Sequence, residues 1–329
     1  ASYPTFNLND PRKLTGMYTD EEIKDMSDEE YRNNLYSLWT NYCVSESYEP
    51  GSTFKPVTVA SALEEGVVKD GDTYVCKGFE TVADYKLKCH VFSTIGSHGS
   101  LTVEQALMNS CNPYMIHLAL EMGNSRFAYY QSLFGFGKIT GIDLPGETTG
   151  IVYGDRMTTI DAACNSFGQT INVNMMQMMA AYCSIINGGM LYQPHIVKRI
   201  ESANGEVVKE YKANLVRQTI TASTSKLLRR YLKNTVEEGT AKKAGVTGYS
   251  VAGKTGTAQK GDRKDNKWII SFIGHAPAEN PKFAIYVVID EPYGTTGTSG
   301  SSADVLTLTH NILEKLLPYM NVYKDASDE

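Results

Sequence analysis

Three strand-like segments follow one another in the last third of the chain, at residues 249–260, 267–277 and 282–292. Each is rich in β-branched and aromatic residues, and short polar stretches separate them, which predicts an antiparallel meander. Helical patterns dominate residues 52–192, and a further one covers residues 303–320. The chain is therefore predicted to be a mixed α/β (α+β) protein, with an antiparallel sheet flanked by helices and an all-helical subdomain.

Charge and composition exclude several function classes. The 329 residues are 42% hydrophobic and 21% charged, which is enough to bury a sizeable core. The net charge is −6 and no basic run is present, so a nucleic-acid partner is not expected. No stretch approaches the roughly 18 apolar residues that a transmembrane helix requires.

Ser52 and Lys55 form the first candidate motif. Pro50-Gly51 interrupts the preceding chain, and a serine is well suited to begin the helix that follows. Residues three apart share a helix face, so the hydroxyl and the amine would lie side by side as a nucleophile and its base. The alternative is a helix cap with an ordinary surface lysine, and Ser-x-x-Lys recurs by chance at Ser223.

Two further motifs follow in a fixed order. Ser110-x-Asn112 lies in a short turn between two helical patterns, and Lys254-Thr255-Gly256-Thr257 lies on the first predicted strand. The chain contains one Lys-Thr-Gly, and the serine-lysine, serine-asparagine and lysine-threonine-glycine order is typical of enzymes that β-lactams acylate.

The resemblance extends beyond these motifs. The segments YEPGSTFKP, LMNSCNPYM, LPGE, SVAGKTGTAQ, SFIGHAP and VVIDEP resemble the transpeptidase domain of class B penicillin-binding proteins over residues 1–295. The clostridial and bacillary elongation, division and sporulation members are the most similar. The resemblance implies the five-stranded antiparallel sheet of the serine β-lactamase-like fold and one transpeptidase domain over residues 1–329. It also implies a membrane anchor and a pedestal domain outside this sequence.

The resemblance assigns the catalytic roles. Ser52 would attack the D-alanyl-D-alanine end of a peptidoglycan stem peptide, and β-lactams would acylate the same hydroxyl. Lys55 would be the base, made neutral by burial and by the nearby charge of Lys254. Ser110 and Lys254 would pass the proton to the leaving amine. No cofactor would be needed for catalysis.

Substrate binding is implied at four positions. Asn112 would hold the substrate amide, while Thr255 and Thr257 would hold the terminal carboxylate. Gly256 would leave room for the substrate backbone beside the strand. The backbone N–H groups of Ser52 and Thr257 would form the oxyanion hole.

The implied setting is the extracellular face of the cytoplasmic membrane, with a membrane glycosyltransferase as partner. Two alternatives remain open: a D,D-carboxypeptidase or β-lactamase, in which water takes the acyl group, and an acylating β-lactam sensor. Glu147 fits no pattern for activating a water, and no membrane signalling segment is present, so both alternatives are disfavoured. The segment 295–317 lacks the Ala-Ala-Pro-type junction that often precedes the last helix, which leaves the cleft rim there undefined.

A metal is a separate hypothesis. Residues 67–100 lack helical periodicity and are predicted to be a loop insertion that contains Cys76, Cys89 and His98, a set suited to structural Zn²⁺. The fourth ligand is expected to be Asp84, with Asp72 or His90 as alternatives. A Cys76–Cys89 disulfide and two unrelated thiols are the other possibilities. The cysteines that lie in helical patterns are expected to be buried or structural: Cys111, Cys164 and Cys183.

Overall fold

The computed structural model describes residues 1–14, 16–261, 267–292 and 301–325. Helices occupy most of the first two thirds of the chain and return at its end. The α-helices are α1 (Asp20–Asp25), α2 (Asp28–Trp39), α3 (Tyr42–Ser45), α4 (Lys55–Glu65), α5 (Val103–Met108), α6 (Asn112–Met122), α7 (Asn124–Leu133), α8 (Thr159–Asn165), α9 (Met175–Ile186), α10 (Ala222–Glu237) and α11 (Ala303–Tyr319).

Most of the strands are short. They are β1 (Thr73–Cys76), β2 (Phe79–Val82), β3 (Tyr85–Lys88), β4 (Gly99–Thr102), β5 (Met190–Gln193), β6 (Arg199–Glu201), β7 (Val207–Glu210), β8 (Asn214–Gln218), β9 (Ala252–Lys260), β10 (Lys267–Ala276) and β11 (Phe283–Asp290). The first eight form four antiparallel pairs, β1 with β4, β2 with β3, β5 with β8 and β6 with β7.

The last three strands form the main sheet, in the order β11-β10-β9, with every pair antiparallel. The two-residue side-chain period of a strand divides β10 between two cores. Ile269 and Ile273 pack into the large helical core, whereas Ile270 and Phe272 pack with α11 on the other side. The sheet is thus covered on both faces, and β9 forms its edge towards the helical part of the protein.

The predicted mixed α/β architecture and the three-strand meander are confirmed, but the strand count is corrected. The described residues supply three strands to the sheet, not five. The chain just before Ser52 forms α3 and a single bridge from Tyr48 to Val173, so it adds no strand there. Strands β5 to β8 satisfy their backbone groups in pairs of their own, away from the sheet.

Helix α4 occupies the centre of the helical core. Eight consecutive residues, from Lys55 to Ala62, are buried, and the helix ends at Gly66 in a left-handed conformation that glycine adopts without strain. The predicted loop insertion at 67–100 instead contains β1 to β4. Within the described part of the chain, no helix is long and apolar enough to cross a membrane.

Candidate active site

Ser52 lies in a 3₁₀ turn, Gly51–Phe54, that leads directly into α4. The prediction that Ser52 begins the α-helix is corrected, because the α-helix begins at Lys55. Residues three apart are eclipsed in a 3₁₀ turn, so Ser52 and Lys55 still share one side of the chain. Thr53 Oγ1 donates to the Pro50 carbonyl at 2.8 Å and closes the turn. Ser52 is partly accessible and faces a cleft.

Backbone-to-backbone contacts hold this turn against its neighbours. Gly51 has a φ of +56° and Gly168 a φ of +83°, and the Gly51 N–H donates to the Gly168 carbonyl at 2.9 Å. A Cβ on Gly168 would lie 2.0 Å from the Gly51 carbonyl oxygen, and one on Gly51 would lie 2.6 Å from the Thr257 carbonyl oxygen. Only glycine fits at either position. The backbone beside Ser52 is therefore in direct contact with the middle of β9.

Lys55 is fully buried behind Ser52. Its Nζ lies 2.6 Å from the Ser110 carbonyl oxygen, 2.7 Å from Asn112 Oδ1 and 3.0 Å from Ser110 Oγ. Burial lowers the pKa of Lys55 to about 8, an effect that the Cys89 and Cys111 thiols partly oppose. The amine is thus held by three acceptors and is easier to deprotonate than an exposed lysine.

A tight turn between α5 and α6 supplies Ser110 and Asn112. Ser110 has a φ of +55°, which is uncommon for a residue with a side chain, and the Cys111 N–H donates to the Ala106 carbonyl at 2.8 Å. Pro113 then restarts the helix in its first turn. The strained residue is the one whose hydroxyl and carbonyl both contact Lys55, in keeping with the concentration of strain at functional sites.

Strand β9 carries the third motif. Lys254 is fully buried, and burial, together with the charge of Lys55, lowers its pKa well below the usual value. Lys254 Nζ donates to the Thr255 carbonyl at 3.2 Å. Thr255 and Thr257 line the cleft.

Gly256 is required for a different reason from the one the sequence suggested. A Cβ there would lie 2.4 Å from Ser271 Oγ on β10, 2.8 Å from Thr53 Cγ2 and 2.9 Å from the Pro50 carbonyl oxygen. The missing side chain therefore makes room for Ser271 and for residues 50–54, the segment that carries the predicted nucleophile Ser52 and is called the nucleophile turn below.

The cleft that these motifs surround has a volume of about 750 Å³. Sequence reasoning missed much of its wall, including the β2–β3 hairpin residues, because residues distant in the chain meet there. The described lining residues are Ser52, Lys86, Leu87, Lys88, His90, Ser110, Asn112, Phe167, Gln169, Thr240, Thr255, Thr257, Trp268 and Ser302. None of these is a carboxylate. Residues 295–300 of the predicted rim segment lie outside the described residues.

Glu147, considered above as an activator of water, is not among the described residues that line the cleft. Its carboxylate accepts from the Thr140 N–H at 2.7 Å, from the Thr140 hydroxyl at 2.6 Å and from the Gly141 N–H at 3.1 Å. These bonds give Glu147 a structural role in the loop after α7.

A cluster of three thiols and one imidazole lies directly beside the cleft. The ligand atoms of Cys76, Cys89, His98 and Cys111 all lie within 4.8 Å of one another. His98 Nδ1 is 3.6 Å from Cys89 Sγ and 3.8 Å from Cys76 Sγ. Ligands of a tetrahedral zinc ion, bound at 2.3 and 2.0 Å, are about 3.5 Å apart. The donor set and its spacing therefore fit Zn²⁺.

The fourth member corrects the sequence prediction, since Cys111 stands where Asp84, Asp72 or His90 was expected. Asp84 is exposed in the turn between β2 and β3. Asp72 accepts from the Lys69 N–H, and His90 Nε2 contacts the Asn109 carbonyl. All six cysteines are free, so the Cys76–Cys89 disulfide is absent. The sequence signal that could have identified the fourth member is a cysteine at the middle position of Ser110-Cys111-Asn112.

Comparison with known proteins gives a family match over most of the chain. Residues 17–314 match the family described as the penicillin binding protein transpeptidase domain. Stage V sporulation protein D of Bacillus subtilis is 41% identical over 288 residues, covering 86% of this chain and 44% of that protein. Peptidoglycan D,D-transpeptidase FtsI of Escherichia coli K12 is 32% identical over 292 residues, covering 87% and 46%. The chain thus spans less than half the length of these curated relatives.

Solved structures agree with the sequence match. The D,D-transpeptidase domain of a peptidoglycan glycosyltransferase from Eggerthella lenta superposes with a TM-score of 0.82 at 26% identity, covering 98% of this chain and 75% of that one. Penicillin-binding protein 3 from Mycobacterium tuberculosis, in complex with aztreonam, gives a TM-score of 0.78 at 29% identity, covering 87% and 66%.

Proposed function

The chain belongs to the penicillin-binding protein transpeptidase family, and from this premise we propose that residues 1–329 act as a peptidoglycan D,D-transpeptidase domain with Ser52 as the nucleophile. One observation carries the proposal. The fully buried Lys55 amine, with its lowered pKa, is hydrogen-bonded to both Ser110 and Asn112 at the back of the cleft that Ser52 lines.

Acylation follows from the bonding of Lys55. A neutral amine has two N–H groups and one lone pair, and the two shortest contacts, to the Ser110 carbonyl and Asn112 Oδ1, would hold the N–H groups. The lone pair, with Ser110 Oγ 3.0 Å from the nitrogen, would then take the Ser52 proton while Ser52 Oγ attacks the penultimate D-alanine carbonyl. The C–N bond to the terminal D-alanine breaks, and the leaving amine takes its proton from Lys55 through Ser110 Oγ.

Transition-state stabilisation would come from the backbone where the nucleophile turn meets β9. The N–H groups of Ser52 and Thr257 would bind the oxyanion, and each such donor typically contributes about 3 kcal/mol. Thr255 and Thr257 hydroxyls would bind the terminal carboxylate. Asn112 Oδ1 accepts from Lys55, and Nδ2 donates one hydrogen to the Lys88 carbonyl at 3.3 Å, so the second Nδ2 hydrogen would contact the substrate amide.

The positive charge of the cleft suits the acyl donor, the stem peptide that acylates Ser52, because this peptide ends in a carboxylate. Lys86 and Lys88 line it, and their ammonium groups lie against the rings of Phe79 and Phe92 at 3.7 and 5.0 Å. No carboxylate is present among the described lining residues. A water-activating base of that kind is therefore lacking in the described wall, which favours transfer to an amine over hydrolysis.

Intact-mass measurement after incubation with a penicillin tests the proposal. The protein should gain one drug mass that persists for hours, and Ser52→Ala should gain none. Ser223→Ala is the matched control, because Ser223 has the same Ser-x-x-Lys spacing but is exposed at the start of α10, and this variant should keep the adduct. Consumption of the drug without a lasting adduct would favour the hydrolase, and no reaction at all would contradict both.

We propose that Zn²⁺ is held by Cys76, Cys89, His98 and Cys111 as a structural ion. The support is a Cys₃His donor set of three buried thiols and one half-buried imidazole, in which His98 Nδ1 lies 3.6 and 3.8 Å from two of the sulfurs. Cys111 immediately precedes α6, while the other three residues belong to the segment from β1 to β4. The ion would tie that segment to the turn that carries Ser110 and Asn112, with no part in the chemical steps.

We also propose the cellular setting. Peptidoglycan lies outside the cytoplasmic membrane, so the domain would act on the extracellular face, beside a membrane glycosyltransferase that supplies glycan strands. The higher identity to a sporulation protein than to FtsI favours a role in spore formation. Loss of the gene should then block sporulation and leave vegetative growth intact, and the glycosyltransferase should copurify with the membrane-bound protein.

A further inference from the structure

A second pocket, of about 430 Å³, opens next to the catalytic cleft, and Gln169 lines both. We call it the acidic pocket. Its described lining residues are Tyr42, Glu46, Ser47, Tyr48, Glu49, Gln169, Thr170, Asn172, Gln259, Lys260, Gly261, Ile269 and Asp290.

Three segments of chain run from the cleft into this pocket. Residues 46–49 immediately precede the nucleophile turn, and residues 167–172 line the cleft at one end and the pocket at the other. On β9, Thr255 and Thr257 line the cleft, and Gln259, at the next alternate position, lines the pocket. A bound chain could therefore pass from one chamber to the other along a single strand.

The two chambers differ in charge. The described wall of the cleft contains lysines and no carboxylate, whereas the acidic pocket contains Glu46, Glu49 and Asp290 against one lysine. That lysine, Lys260, is already paired with Asp290 at 2.9 Å and with Glu291 at 2.9 Å.

Glu46 and Glu49 are left without a cationic partner among the described residues. Glu46 is exposed to the pocket. Glu49 is partly buried and accepts one bond, from the Thr170 N–H at 2.8 Å. Burial raises the pKa of Glu49, and the Thr170 N–H offsets this only in part. A bound cation would stabilise both carboxylates.

Resting on the transpeptidase function proposed above, we infer that the acidic pocket receives the acceptor substrate, a peptide with a side-chain ammonium, through Glu46 and Glu49. The opposite charges of the two chambers match the two substrates, since the donor ends in a carboxylate and the acceptor carries an amine. Gln169, Asn172 and Gln259 supply amide groups for the acceptor backbone.

The transfer step balances with groups already described. The acceptor ammonium gives one proton to a pocket carboxylate, which releases it to water. The freed amine attacks the ester carbon of acyl-Ser52, and the bond from that carbon to Oγ breaks. The second amine proton reaches Oγ through Lys55, which leaves an amide cross-link and free Ser52.

The test measures how the acyl-enzyme divides between two products, the amide formed with the acceptor and the acid formed with water. A thioester analogue of the donor peptide acylates the enzyme, and a short peptide with one free lysine side-chain amine is the acceptor probe. The Glu46→Gln/Glu49→Gln variant should need about tenfold more acceptor to convert half of the product to amide, the loss expected for one charge pair. Glu314→Gln, an exposed carboxylate on α11 outside both pockets, should behave as the wild type.

The product ratio counts only events after acylation, so slower acylation or partial misfolding does not mimic the effect. An unchanged ratio in the double variant would overturn the acceptor pocket and leave the proposed function standing. A wild-type protein that is acylated but forms only the acid, whatever the acceptor concentration, would overturn the transpeptidase function, and the acceptor pocket with it. Failure of the thioester and of penicillin to acylate Ser52 would instead overturn the proposed function on which the inference rests.

Discussion

The side-chain oxygen of Asn112 lies 2.7 Å from Lys55 Nζ, so the asparagine of the second motif orients the lysine of the first. The sequence assigns Asn112 only to the substrate, but its amide has two ends, and the oxygen is directed into the protein. The geometry therefore links the protonation of Lys55 to the turn between α5 and α6.

We expect acylation by penicillin to accelerate as pH rises through about 8. Lys55 acts as a base only when neutral, and burial lowers its pKa to about 8, so the neutral fraction grows over this range. The second-order rate constant for a fluorescent penicillin, measured from pH 6 to 10, gives the midpoint. A rate constant that does not change with pH would exclude Lys55 as the base.

Asn112→Asp should move that midpoint to higher pH by at least about one unit, because an opposite charge at this distance favours the ammonium form. At pH 7 acylation should slow by about tenfold. Asn109→Asp is the matched control, since Asn109 lies in the same turn but bonds to the Gln105 carbonyl, away from Lys55. Equal midpoints in the two variants would disprove the link between Asn112 and Lys55.

Gly256→Ala should slow acylation by at least tenfold and destabilise the protein by about 1–3 kcal/mol, the usual cost of overpacking. The new methyl group would press on Ser271 Oγ of β10, on Thr53 and on the Pro50 carbonyl, and would displace the nucleophile turn. Gly245→Ala should change both properties much less, because its φ is −62° and its nearest contact, the Lys242 carbonyl oxygen, would be at 3.3 Å. The acylation rate and the thermal unfolding of both variants test this prediction, and equal values for the two variants would contradict it.

Purified protein should retain about one zinc ion per chain after dialysis, and a strong chelator should lower its Tm by about 4 °C, if the ion contributes about 3 kcal/mol. Cys111→Ser should lose the metal. Cys164→Ser, a buried cysteine outside the cluster, should keep it. Metal analysis that finds no zinc above background in the wild type would remove the proposal.

Features that depend on local sequence composition, such as the position of a strand or a turn, were predicted well from the sequence. The β-branched and aromatic residues of segment 267–277 predicted β10 within one residue of its observed end, and the Pro50-Gly51 break located the nucleophile turn. The five-strand sheet implied by the resemblance was wrong for the described residues, because strand pairing depends on segments that are distant in the chain. The stretch before Ser52 has a single bridging residue, Tyr48, where the family resemblance implied more sheet.

The metal cluster shows the same limit. Cys76, Cys89 and His98 are near one another in the sequence and were selected for that reason, whereas Cys111 belongs to a helical pattern 22 residues after Cys89. The left-handed conformation of Ser110 turns the chain there, and Cys111 then packs against the insertion. No periodicity in the sequence encodes that turn.

The contacts among Gly51, Gly168 and Thr257 restrict how this cleft can evolve. Three backbone segments touch where no side chain can be inserted, so we expect any substitution at either glycine to displace Ser52 and to abolish acylation and cross-linking together. Substitutions that weaken β-lactam binding in a working domain are therefore expected at the rim, where partly or fully exposed residues such as Gln169, Thr240 and Trp268 border the opening. An inhibitor that contacts the floor of the cleft should keep its target in such variants.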